Sequence, residues 1–255
     1  MRHGQVRSVL LTGFLWFCFL GAFVVGYWAV FLGAGILRGR RGLSWALRSY
    51  ARGFIGLMLR AIPGVHLEVP ERSQLKSIRS SVVVCNHLSF LDPLLLLSLL
   101  PGTITIVRPD FFRVPVFGWL LLGAGFLGPD LFTGGRPWMD RVRRRLQSGD
   151  NLLVFPEGTR SRDGRLGPFK KGAFYLAQQL AAPVVVLRLQ GTDRVFPRGR
   201  LSLDAKANNT IEVRPLAIIS AAEAATVNTA DLTAQVRATL LLETADGENI
   251  VVPGD

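Results

Sequence analysis

The sequence predicts an α/β fold: a mixed, largely parallel sheet flanked by helices, with an N-terminal membrane-embedded helical segment. Three observations carry this reading. From residue 80 onward, short β-branched runs alternate with helix-length segments, the pattern of a layered α/β domain. Hydrophobic residues make up 49% of the 255 and charged residues 19%, at a mean hydropathy of +0.32. That composition buries a core and excludes a disordered chain. Residues 8–37 then form a run of 30 without one charged side chain.

The N-terminal run (SVLLTGFLWFCFLGAFVVGYWAVFLGAGIL) exceeds the roughly 20 apolar residues needed to span a bilayer. A cleaved signal peptide has an apolar region of only about 7–15 residues. As one straight helix the run would reach about 45 Å, against a hydrocarbon core of about 30 Å. Gly21 and Gly26 lie mid-segment, where a bend is possible. Arg2 and Arg7 precede the run, and Arg38, Arg40 and Arg41 follow it. A bent helical pair entering and leaving one leaflet keeps both clusters in the cytoplasm; one tilted span places Arg2 and Arg7 outside. Either topology puts the following domain on the cytoplasmic face of the membrane. Residues 44–60 interleave Trp45, Leu47, Tyr50, Phe54 and Leu57 with Arg48, Arg52 and Arg60. This is an amphipathic interfacial helix or a globular surface helix, ended by Pro63-Gly64.

The main domain follows in order. Residues 80–85 (SSVVVC) read as a buried strand, and residues 93–100 as an apolar helix closed by Pro101-Gly102. Residues 103–107 are a second β-branched run. Residues 119–126 are apolar, helical or lining a pocket, within a longer apolar stretch (111–132). Residues 139–147 form a basic helix ended by Ser148-Gly149. A strand at 151–155, a helix at 172–180, a strand at 184–189, a short strand at 211–213 and a helix at 231–243 complete the pattern.

Charge narrows the function classes. Net charge is +12, with 27 basic and 10 acidic residues in 1–200 against 3 and 8 in 201–255. A basic field attracts phosphate, on nucleic acid or on anionic lipid; the apolar N-terminus selects lipid. Arg141, Arg143, Arg144 and Arg145 have helical spacing and no nucleic-acid motif beside them, so they read as a solvated face near anionic lipid. Cys18 and Cys85 do not make a disulfide framework, and the thinly spread His and Cys give no zinc site. Residues 123–128 match G-x-G-x-x-G, but Pro129 breaks the helix a dinucleotide site requires. A G-x-S-x-G nucleophile elbow is absent from the sequence.

The first strand runs into Asn86-His87-Leu88-Ser89-Phe90-Leu91-Asp92-Pro93. Asp92 and Pro93 read as N-cap and first residue of the next helix. A turn between His87 and Asp92 could bring carboxylate to imidazole, fixing the tautomer and stabilising the imidazolium. His87 is thus a candidate general base; from these two residues alone, a helix cap beside a packed histidine explains them equally. A second polar run, Phe155-Pro156-Glu157-Gly158-Thr159-Arg160-Ser161, again follows an apolar strand, where α/β folds place ligands. Gly158 permits close backbone approach and Arg160 offers a planar fork for phosphate.

Asn86-His87-x4-Asp92 followed by Phe155–Ser161 resembles the glycerolipid acyltransferases, specifically the 1-acyl-glycerol-3-phosphate acyltransferases. The likeness covers about residues 80–190. Residues 108–118 (RPDFFRVPVFG) resemble the family's second block, with Arg108 in place of its usual Lys, and residues 183–186 resemble its fourth. The resemblance implies transfer of an acyl group from a thioester, acyl-CoA or acyl-carrier protein, to a lysolipid hydroxyl, giving phosphatidic acid. His87 and Asp92 would be catalytic; Glu157, Gly158, Thr159, Arg160 and Arg108 would bind the substrate. No metal or cofactor beyond the acyl donor is implied, and the partners are membrane lipid and donor, with no nucleic acid. Acylation of lyso-ornithine lipid or another lysophospholipid, and a non-catalytic lipid-binding protein on the same fold, are the alternatives. The expected organisation is an anchor with an interfacial helix (1–60), an acyltransferase catalytic domain (61–220) and a C-terminal helix and tail (221–255).

Overall fold

A computed structural model describes residues 64–114, 117–124, 126–128, 135–161, 164–196 and 209–248, together with scattered residues between 13 and 62. Six strands form one sheet: β1 (Val65–Glu68), β2 (Val82–Cys85), β3 (Thr103–Thr105), β4 (Asn151–Val154), β5 (Val184–Gln190) and β6 (Asn209–Ile219). Their spatial order is β1-β6-β5-β2-β4-β3. Strands β5, β2, β4 and β3 run parallel to one another, β6 lies antiparallel to β5, and β1 lies parallel to β6. The mixed, largely parallel sheet expected from the sequence is therefore present.

Nine helices described from residue 64 onward flank it: α1 (Arg72–Ser77), α2 (Leu91–Leu99), α3 (Pro109–Arg113), α4 (Phe117–Ala124), α5 (Gly135–Gln147), α6 (Gly172–Gln179), α7 (Thr192–Val195), α8 (Ala221–Thr226) and α9 (Thr229–Glu248). The central strand β2 (VVVC) is buried on both faces, as a continuous apolar run in a parallel sheet must be. Its odd residues Val83 and Cys85 join Leu75, Leu95, Leu96 and Leu187 in one core layer. Its even residues Val82 and Val84 join Trp138, Val142, Phe174, Leu232 and Val236 in the other. Helix α9 thus packs on the same sheet as the elements before it.

The differences from expectation have local causes. The expected short strand at 211–213 is the eleven-residue β6. Pro215 sits in it opposite Leu187, where the β5–β6 register shifts. Proline lacks the N–H the ladder needs, and so masks a strand in sequence. β1 has alternating half-buried positions and lies at the sheet edge, next to β6. The first motif's helix begins at Leu91 with Phe90 as N-cap, so Asp92 lies inside the first turn and is not the cap.

The expectation for residues 8–37 falls largely outside the described residues. Those described within it are helical, Gly21 and Gly26 included. A Cβ on Gly26 would collide with the Tyr50 ring, so that helix lies against the segment at 44–60. Among the described residues no helix is long and apolar enough to cross a membrane. In the basic amphipathic segment, Leu47 is buried and Arg48 pairs with Asp150 at 3.0 Å, while Trp45 and Leu57 are exposed. One part of that segment is docked on the domain, while Trp45 and Leu57 face outward.

Candidate active site

The sheet order brings the two sequence motifs together. Strands β2 and β4 are parallel neighbours, so residues following them emerge side by side at the carboxyl edge. His87 follows β2 and Phe155 follows β4, and their rings stack with centroids 4.2 Å apart. Strand β5 flanks β2 on the other side, so its exit reaches the same place.

The turn from His87 to Asp92 closes on the carboxylate. His87 Nδ1 lies 2.8 Å from Asp92 Oδ2. A carboxylate only accepts, so Nδ1 carries the proton and Nε2 is the ring's basic nitrogen. The same Oδ2 accepts from the Leu88 and Ser89 amides at 2.6 and 2.7 Å. Oδ1 accepts from the Thr192 hydroxyl at 2.6 Å. Asp92 is completely buried, whereas the His87 side chain is 18% exposed. A buried carboxylate with four donors is a fixed acceptor beside a ring that substrate can reach. The helix-cap reading of Asp92 does not hold, because the donors to its carboxylate precede its helix or come from β5's exit.

The second motif braces His87 from the opposite side. Glu157 is buried, and its Oε1 accepts the His87 amide at 2.9 Å while Oε2 accepts the Gly167 amide at 3.0 Å. The Ser161 amide donates to the His87 carbonyl at 2.8 Å. Gly158 has φ +69, which a side chain rarely adopts, and a Cβ there would come 2.8 Å from Lys170 Nζ. Thr159 is exposed and Arg160 half-buried on this turn. Arg108 begins α3 beyond β3, two strands from β2; its side chain is 77% exposed and pairs with Asp110 at 2.6 Å. The structure therefore gathers His87, Asp92 and the Glu157–Arg160 turn, and leaves Arg108 at the sheet's outer end.

Burial pushes the Cys85 thiol well above its usual range, and the nearby Asp92 and Glu157 charges add to the effect. Such a thiol is not a nucleophile. Three contributors had no role assigned from the sequence. Asn86 bridges the Leu189 amide and carbonyl at 2.8 Å each, extending the β2–β5 ladder through a side chain. Thr192 and Lys170 lie outside the two runs and carry no local signal; only strand order reveals them. Among the described residues, no group of His, Cys, Asp and Glu could hold a metal ion.

A histidine–carboxylate pair at the carboxyl edge of a parallel sheet, closed by a Glu-Gly-Thr-Arg turn, is an arrangement able to take a proton from a bound hydroxyl. Residues 66–190 match the family model described as Acyltransferase, and this stretch of the chain belongs to that family. It is 43% identical over 121 residues to a chloroplastic 1-acyl-sn-glycerol-3-phosphate acyltransferase of Brassica napus, covering 46% of this chain and 35% of the relative. An Arabidopsis thaliana counterpart is 41% identical over 122 residues, covering 47% and 34%. A Cocos nucifera relative of the same name is 33% identical over 167 residues, covering 64% and 50%. The matched stretch thus spans half or less of these relatives. The fold also matches the crystal structure of the 1-acyl-sn-glycerophosphate acyltransferase PlsC from Thermotoga maritima. The TM-score is 0.77 at 20% identity, over 98% of this chain and 99% of that one.

Proposed function

We propose that this protein transfers an acyl group from a thioester to the free hydroxyl of 1-acyl-glycerol-3-phosphate, giving phosphatidic acid at a membrane surface. The observation that carries the reading is the His87–Asp92 pair, at 2.8 Å with the carboxylate wholly buried. The relatives' printed activity supports the acceptor.

His87 Nε2 takes the acceptor's hydroxyl proton as that oxygen attacks the thioester carbonyl. A C–O bond forms, the tetrahedral intermediate expels the thiolate by breaking C–S, and the imidazolium returns its proton to sulfur. Asp92 stays ionised and stabilises the imidazolium between these steps. Acyl-CoA and acyl-carrier protein both supply the required thioester. Arg160 and Lys170, beside the Gly158 turn, offer positive charge to the acceptor's phosphate. Glu157 is a brace in this scheme, since both of its oxygens accept backbone amides.

Lipid contact is supported by the exposed surface that follows β3. Helix α4 (FGWLLLGA) has no charge, yet Trp119 is 64% and Leu122 62% exposed. Phe111 and Val114 are exposed just before it, and so are Arg108 and Arg113. An apolar patch edged by arginine suits an anionic lipid surface, where a lysolipid hydroxyl lies. With the apolar N-terminal run, this supports attachment to the cytoplasmic face of a membrane.

The test is an acceptor panel in anionic vesicles: 1-acyl-glycerol-3-phosphate, other lysophospholipids and lyso-ornithine lipid, each with acyl-CoA or acyl-carrier protein. Products are identified by mass spectrometry. Phosphatidic acid as the main product is expected, and Arg160→Lys should raise the acceptor KM about 10-fold or more while sparing the donor KM. Product from a phosphate-free acceptor alone overturns the acceptor assignment. Absence of thioester consumption leaves a lipid-binding protein.

A further inference from the structure

The geometry points to Thr192 as a positioning residue for catalysis: its hydroxyl fixes the plane of the Asp92 carboxylate, and Gly191 allows it to reach there. This rests on the reading of His87 as the general base.

The three donors to Asp92 Oδ2 all come from the 87–89 turn. They hold one oxygen. Rotation about the Cβ–Cγ bond strains those three bonds, and it is opposed more stiffly once the second oxygen is also held. The Thr192 hydroxyl supplies that hold, at 2.6 Å from Oδ1 and from a residue 100 positions away in the chain. That length lies in the range of a charge-assisted O–H···O⁻ bond. Thr192 is fully buried, so bulk water does not substitute for its hydroxyl. Fixing both oxygens fixes the lone pair on which His87 Nδ1–H is aligned.

The chain reaches this point because β5 is the parallel neighbour of β2 and ends beside it. Gly191 then turns the backbone with φ +80, and a Cβ there would run into the Thr210 carbonyl on β6. A residue with a side chain fits neither the conformation nor the space. Thr192 opens α7 directly after this turn.

The same segment grips the catalytic turn at two other points. Asn86 bridges Leu189, and the Ser89 hydroxyl donates to the Phe196 carbonyl at 2.9 Å. Those contacts anchor the turn to β5's exit. Thr192 alone within this segment touches the carboxylate, so the anchoring role and the carboxylate role are separable.

The experiment compares Thr192→Val, Thr192→Ala, Thr192→Ser and His87→Ala in the full chain. Vesicles contain 1-acyl-glycerol-3-phosphate, with acyl-CoA as donor, and melting temperatures are taken on the same samples. Thr192→Val deletes the hydroxyl at nearly constant shape and should lower kcat about 10- to 100-fold, with both KM values within about twofold. Thr192→Ser restores the donor, with less χ1 restriction than threonine, and should recover most of that loss. Thr192→Ala must also lose more kcat than Thr192→Ser, which keeps the test valid if valine prevents folding. Wild-type kcat in the valine or alanine variant, a change confined to KM, or serine no better than alanine would overturn the inference. If His87→Ala itself retains activity, the general-base reading is what fails; if it is inactive while the Thr192 variants are normal, only the Thr192 inference falls.

Discussion

Glu157 is the residue whose role changes most between sequence and structure, and Glu157→Gln tests the change. The resemblance makes it a substrate-binding residue. In the fold its two oxygens accept the His87 and Gly167 amides at 2.9 and 3.0 Å. A Cβ on Gly167 would come 3.2 Å from Oε2, so the loop is closely fitted around the carboxylate. Glutamine keeps one oxygen and turns an NH2 donor toward the other amide. One charge-assisted bond is lost and a donor faces a donor, at a cost of about 1.5–3 kcal/mol. For a domain of this size, about 2–4 °C per kcal/mol converts this to a melting-temperature fall of roughly 3–12 °C. Because one of the two amides belongs to His87, kcat should fall several-fold while the acceptor KM stays within about twofold. Thermal unfolding and steady-state kinetics on the same preparation check both. A raised acceptor KM at unchanged melting temperature would refute the reasoning, because it would mean the carboxylate meets substrate and not the backbone.

Other outcomes follow from the opposite edge of the sheet and from Cys85. Asp150 takes Arg48 and Arg145 at 3.0 Å each, all three side chains being largely buried. Burial, and then the neighbouring Arg48 charge, push the Arg145 guanidinium below its usual range, with Asp150 opposing them. Asp150→Ala leaves two cations facing each other and should cost about 3–5 kcal/mol, read as a loss of thermal stability. An unchanged melting curve would contradict it. Cys85 is buried, so a maleimide should leave it unmodified until denaturant is added; rapid native labelling of Cys85 would show that the β2 end is open. Asp92→Asn should lower stability as well as activity, because asparagine would set an NH2 among the donors that the buried carboxylate now accepts. Unfolding at the wild-type temperature would count against that account.

The sheet was legible where burial is two-sided. β2, β4 and β5 are apolar runs that only a central parallel strand explains, and the polar residues just after them marked the site. Less legible were elements whose identity depends on neighbours. β6 is broken by Pro215 and becomes a strand because β5 and β1 pair with it on either side. The Asp92 cap assignment was off because Asp-Pro is a common helix start, whereas here the carboxylate turns back to the amides of Leu88 and Ser89. Thr192 had no visible partner in sequence, since its contact to Asp92 exists only once β5 is seated beside β2. Glu157 was recognised as part of the site, but whether a carboxylate accepts from substrate or from backbone is decided by the loop around it.

The central claim is that His87, held by Asp92, moves the proton that lets a lysolipid hydroxyl attack a thioester. Its most direct measurement is the kcat of His87→Ala on 1-acyl-glycerol-3-phosphate and acyl-CoA, at equal folded protein, with the melting temperature taken alongside. Loss of the general base should lower kcat by about 10²–10⁴-fold while the protein unfolds near the wild-type temperature. Near-normal turnover by a folded His87→Ala protein would contradict the account.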